Sequence, residues 1–143
     1  MLKVLLIHGP NLDQLGVREP SVYGNITSEG IVSELKEKFS NIQIDYFQSA
    51  SEHELISKIH NSNSEYAGVV INAGAYSHTS IAIADAIKSI QIPVISVHIS
   101  NIYNREGYRH QDIVGEACRG CIVGLGQAGY ALALECLLDE LMS

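Results

Sequence analysis

The chain has 143 residues, 46% of them apolar, with nine Lys and Arg against sixteen Asp and Glu for a net charge of −7. That size fits one domain spanning 1–143 around a buried core, and the composition excludes a disordered chain. No basic block is present, so nucleic acid is not an expected partner, although local arginines can still hold a small anion.

The first strand pattern covers 2–8. Its apolar run, Val4 to Ile7, is too short for a signal peptide or a membrane span, so a cytoplasmic protein without a membrane partner is expected. It discharges into a loop over 9–24 that carries Asn11, Arg18 and Tyr23 among Gly9, Pro10, Gly16, Pro20 and Gly24. Loops after buried strands are where open α/β sheets place their chemistry. An Arg five residues from a Tyr can bring a cation to a phenol and make it a base near neutrality. The bland alternative is a surface loop with Arg18 solvated and Tyr23 packed.

A helix pattern at 28–39, a strand at 42–48 and a helix at 51–62 follow. The last opens on Ser51-Glu-His-Glu54, a capping box in which Ser and Glu satisfy each other's amides. The third strand, 67–72, contains Gly68-Val-Val-Ile71, and the fourth, 93–99, contains Pro93-Val-Ile-Ser-Val97; both read as buried on two faces, like parallel strands. After the third comes Asn72 and then His78, just ahead of a helix at 79–90 capped by Thr79 or Ser80. A helix start favours anions, so His78 reads equally as ligand contact or polar bystander. Asp85 on that helix reads as solvent-facing or as a subunit contact.

The fourth strand ends at His98, placed for acid–base work. Ile99 and Ser100 follow it. Arg105 and Arg109 stand at i and i+4, where a helical turn would put them on one face. They form either a solvated basic turn or a carboxylate-binding corner.

The fifth strand, 118–124, contains Cys118-Arg-Gly-Cys121. With no second pair and an odd total of three cysteines, it reads as buried small hydrophobes rather than a disulfide, redox or zinc pair. Gly124-Leu-Gly-Gln-Ala-Gly129 mimics a dinucleotide fingerprint, but only fourteen residues remain and none forms the strand that fingerprint requires. In the final helix, 127–142, Ala131, Leu132, Leu134, Leu138 and Leu141 are expected to face the core. The six histidines show no ligand spacing, so no metal is expected, and no lysine falls in the three polar loops. Five strands interleaved with helices imply a three-layer, doubly wound, flavodoxin-like α/β domain with a parallel sheet in the order 2-1-3-4-5, its switch point between strands one and three.

Three stretches are specific when taken together: His-Gly-Pro-Asn-Leu-x-x-Leu-Gly-x-Arg-Glu-Pro-x-x-Tyr-Gly from His8, Asn-x-Gly-Ala-Tyr-x-His-Thr-Ser from Asn72, and Val-His-Ile-Ser-Asn-Ile…Arg-Glu-x-x-Arg-His from Val97. They closely resemble type II 3-dehydroquinate dehydratase over essentially the whole chain. The resemblance implies a lyase of the shikimate pathway, working without cofactor or metal, that removes water from 3-dehydroquinate by anti elimination through an enolate. It makes Tyr23 the base, Arg18 its activator, His98 the acid and Asn11 a holder of the water that stabilises the enolate oxygen. It also makes Asn72, His78 and Arg109 substrate contacts, the backbone of Ile99 and Ser100 a carboxylate cradle, and Arg105 a lid residue. Asp85 would reach a neighbouring subunit's site in a homododecamer of trimers. Departures from the pattern fall at His8, Gln14, Gly107 and Gln111-Asp112. The competing reading is a flavodoxin-like module that binds a small anion without turning it over.

A free tyrosine, with pKa about 10, is ionised in roughly one molecule per thousand at pH 7; bringing it to neutrality takes about 4 kcal/mol. One cation gives about 1–3 pH units, so two arginines suffice where one is marginal.

Overall fold

The computed structural model describes every residue except Arg18 and Gly24, with Pro20 and Tyr23 described in backbone only. Five strands form one parallel sheet: β1 (Lys3–His8), β2 (Gln43–Gln48), β3 (Gly68–Asn72), β4 (Val94–His98) and β5 (Gly120–Val123). Their order is β2-β1-β3-β4-β5, as expected. The central strands are buried along their length, which explains their unbroken Val/Ile/Leu runs.

Helices α1 (Pro20–Tyr23), α2 (Ser28–Lys38), α3 (Glu52–Glu65), α4 (Ile81–Ser89), α5 (Ile113–Ala117) and α6 (Ala128–Leu141) complete the chain. α2 and α6 cover one face, where Ile31, Leu35, Leu134 and Leu137 meet Val4, Leu6, Val70 and Val97. α3 and α4 cover the other, where Leu55, Ile59, Ile83 and Ile87 meet Leu5, Ile7, Val69 and Ile71. Alternate residues of each strand feed the two cores, as the period of a strand requires.

Helix starts follow local chemistry. Thr27 Oγ1 accepts from Gly30 N at 3.0 Å, and Ser80 Oγ, rather than Thr79, caps α4 through Ile83 N at 3.0 Å. At α3 only half of the expected box forms. Ser51 Oγ takes Glu54 N at 3.2 Å, but Ser51 N goes to Ser49 Oγ at 3.0 Å, and that hydroxyl donates to the Glu54 carboxylate. The reciprocal arm is relayed through a serine just upstream.

Three further expectations need correction. Leu132 is 42% exposed; the core side of α6 is built from Tyr130, Ala131, Ala133, Leu134 and Leu137. β5 starts at Gly120, so Cys118 lies at the end of α5, and on this edge strand Cys121 is exposed rather than buried. Short α1 and α5, along with single turns at Leu12–Gln14, Gly74–His78, Ile102–Asn104 and Gly107–Arg109, occupy segments expected to be loops. Among the described residues, no helix is long and apolar enough to cross a membrane. Gly129 lets α6 lie on the sheet, since a Cβ there would sit 3.2 Å from Val97 and 3.4 Å from Ile122 side-chain atoms.

Candidate active site

The switch point is closed backbone to backbone. Gly9 N donates to Asn72 O at 2.8 Å, and a Cβ on Gly9 would lie 2.3 Å from the Ala73 carbonyl oxygen. Gly74, at φ +61, likewise approaches the Pro10 carbonyl. The loops that leave β1 and β3 are therefore in direct contact.

Asn72 ends β3, buried, with both amide atoms assigned. Its Oδ1 accepts from Gly74 N at 3.1 Å and its Nδ2 donates to Tyr130 Oη at 3.0 Å. That phenol meets His8 Nε2 at 2.8 Å, and His8 Nδ1 meets Tyr46 Oη at 3.0 Å. Buried His8 is thus held at both ring nitrogens, by the phenols of Tyr130 and Tyr46. Burial pushes the His8 pKa down from 6.5 to about 3.

His98 ends β4, buried, and its Nε2 lies 2.7 Å from Asp112 Oδ2. Burial penalises the Asp112 carboxylate, yet the hydrogen bond and charge of His98 and the Gly115 amide outweigh that penalty, so its pKa sits below the ordinary carboxylate value. His78 stacks on His98 with ring centres 6.0 Å apart and planes 22° apart, and its Nδ1 lies 2.8 Å from Gln111 O.

Arg105 and Arg109 do not share a helical turn. Arg105 is extended between two single turns, at φ −121° and ψ −166°. Glu106 joins the two arginines instead, its carboxylate 3.8 Å from Arg105 Nε and 2.9 Å from Arg109 Nε. The Arg109 hydrogen bond comes first among the causes that hold Glu106 well down, at about 2. Arg105 also reaches Glu19 at 3.3 Å, tying the first loop to the third, and Ser100 Oγ at 3.4 Å.

One cleft brings Asn11, Asn72, His78, His98, Ile99, Ser100, Arg105 and Arg109 together. Asn11 reaches it from a left-handed backbone at φ 69°. An adjoining cleft shares Ile99, Ser100 and Arg105 and is walled by Ser21 and Val22 of α1. Arg18 and the Tyr23 side chain lie outside the described residues. Asp85 is exposed on α4, away from the cleft. In the sequence Asp112 stands out only as a departure from the family pattern; its one local signal is an Asp just ahead of a short apolar run, an N-cap. Among the described residues, no three His, Cys, Asp or Glu cluster so as to hold a metal ion. Desolvation raises the pKa of both Cys118 and Cys121, so neither thiol is poised as a thiolate.

Fold and cleft together define a flavodoxin-like α/β protein with acid–base groups gathered at the carboxyl edge of its sheet. Residues 2–138 match the family model for class II dehydroquinase. A 3-dehydroquinate dehydratase of Clostridium botulinum is 51% identical over 99% of this chain and 98% of its own, and one of Bacillus cytotoxicus is 49% identical over the same shares. The crystal structure of type II dehydroquinase from Butyrivibrio crossotus superposes with a TM-score of 0.93 at 42% identity, covering 96% of this chain and 97% of that one. This chain belongs to the class II dehydroquinase family, an enzyme family of lyases.

Proposed function

We propose that the protein dehydrates 3-dehydroquinate to 3-dehydroshikimate. The observation that carries this reading is the convergence, from β1, β3 and β4, of Asn11, Asn72, His78, the His98–Asp112 pair and two arginines on one cleft. Tyr23, in ionised form, takes the C2 proton and leaves an enolate. His98 then gives a proton to the departing C1 hydroxyl, and the carbon–carbon double bond forms as water leaves. The proton on Tyr23 returns to solvent and His98 is reprotonated from solvent, so the net change is loss of one water.

Arg18, with Arg105 beside the adjoining cleft, stabilises the Tyr23 phenolate. The cleft wall formed by α1, whose last residue is Tyr23, supports bringing that phenol to the Ile99–Ser100 corner, where backbone amides hold the substrate carboxylate. Asn11 holds the water that stabilises the enolate oxygen. Asn72, His78 and Arg109 bind hydroxyl and ketone-side groups, and Arg105 closes over the ligand. Asp85, exposed on α4 with Ile81 nearby at 65% exposure, serves a neighbouring subunit's site in a dodecamer built from trimers. Light scattering on the eluting protein should then give a mass twelve times the 15.6 kDa chain.

Mixing purified protein with 3-dehydroquinate should produce the ultraviolet absorbance of a conjugated enone. Substrate stereospecifically deuterated at C2 should lose the label expected for anti elimination. Ligand binding with no rise in absorbance would refute the dehydratase and favour the anion-binding module.

A further inference from the structure

We propose that Asp112 is a positioning residue for the dehydration: its carboxylate ties down Nε2–H of His98, aims Nδ1 at the substrate and favours the protonated ring that must supply the leaving group's proton. This rests on the dehydratase reading above.

The two oxygens of Asp112 have separate tasks. Oδ1 accepts from Gly115 N at 2.8 Å and caps α5, a task that Ser or Asn also performs. Oδ2 goes to the imidazole at 2.7 Å, with the two side chains 11% and 6% exposed. A cap alone does not call for a second oxygen aimed at a histidine in the cleft. Room for the carboxylate is built in: a Cβ on Gly115 would lie 2.3 Å from Oδ2, 2.6 Å from Cγ and 2.9 Å from Cys121 Sγ. Residue 115 must lack a side chain for this pair to exist.

The tautomer follows from the contact. A carboxylate only accepts, so Nε2 carries a proton in both the neutral and the charged ring. Nδ1 is then the atom that carries the transferable proton in the cation and becomes a bare acceptor after giving it up. A carboxylate bonded to the far nitrogen of a catalytic imidazole fixes tautomer and orientation and stabilises the charged ring. The adjacent carbonyl of Gln111 holds the stacked His78 ring, so two consecutive residues set both imidazoles.

Among the described residues, the charged and titratable groups around this ring are Asp112 behind it, His78 stacked on it, Arg105 and Arg109 along the cleft, and the thiols of Cys118 and Cys121 near the carboxylate. Asp112 is hydrogen-bonded to His98.

The test is steady-state kinetics across pH for D112N and D112S, both of which keep an acceptor for Gly115 N. Loss of the anion should lower kcat by about 10–100-fold with KM within about threefold. The descending, high-pH limb should move to lower pH, because the ring loses its proton earlier without its counter-charge. A fall in kcat with an unmoved limb, or a change confined to KM, overturns the proposal. Histidine 15N spectra of the unmutated protein should show neutral His98 protonated on Nε2, and an Nδ1–H form overturns it with no variant needed. If the unmutated protein fails to turn over 3-dehydroquinate, the dehydratase reading fails; if it turns over and D112N matches it in rate and limb, only the positioning role fails.

Discussion

His8 makes the fold sensitive to acid, by an amount that can be worked out. The ring is fully buried, and its pKa is depressed from 6.5 to about 3. Protonation would place a charge on a ring shut away from water, and burial is what depresses the value. The unfolded chain therefore takes up a proton below pH 6.5 that the folded chain refuses until about pH 3. Stability from this source is complete above pH 6.5 and falls by about 1.4 kcal/mol per pH unit through that window. Between pH 7 and pH 5 the loss is about 2 kcal/mol, a large part of a marginal folding free energy. The assay is urea unfolding of the unmutated protein and H8N at both pH values. With a slope of about 2 kcal/mol per molar urea, the midpoint of the unmutated protein should fall by about 1 M more than that of H8N. Other titrating groups cancel in that difference, as does any fixed cost of disturbing Tyr46 and Tyr130. Equal falls in the two proteins would refute the reasoning.

Replacing Tyr23 by Phe should leave 3-dehydroquinate binding by equilibrium dialysis within a few-fold while enone formation drops by at least about 1,000-fold; near-normal turnover removes Tyr23 from the base's role. R18A and R105A should each slow turnover and move the ascending, low-pH limb upward, because a phenolate with fewer cations holds its proton longer. An unmoved limb in both refutes arginine activation. G9A should destabilise by about 3 kcal/mol or more in chemical unfolding, because the new Cβ meets the backbone of Ala73 rather than a side chain that can turn away.

The sheet was legible because its central strands are unbroken apolar runs and the helices between them carry periodic faces and caps. What escaped were elements too short to show a period. α5 spans five residues with a glycine at its centre, so the 98–112 contact that it creates left no trace in the spacing. The Arg105–Arg109 spacing suggested a helix, but Arg105 is extended and Glu106 does the joining. His8 and Tyr130 are 122 positions apart, and only folding shows that one supports the other. Leu132 and Cys121 were misplaced because hydrophobicity alone does not reveal which side of an outer helix, or which edge of a sheet, faces water. Asn11, Asn72, His78, His98, Ile99, Ser100, Arg105 and Arg109, all singled out from loops that follow buried strands, line one cleft, whereas the contact of His98 with Asp112 left no signal in the spacing.

The backbone contact between Gly9 and Ala73 means that the floor of the cleft shares its mechanical fate with the deepest strands. Nothing there can be retuned without disturbing the whole scaffold. Adaptation to a different small molecule would therefore have to be written into the rim, along the stretch from Ser100 to His110, where side chains can change while the foundations stay put.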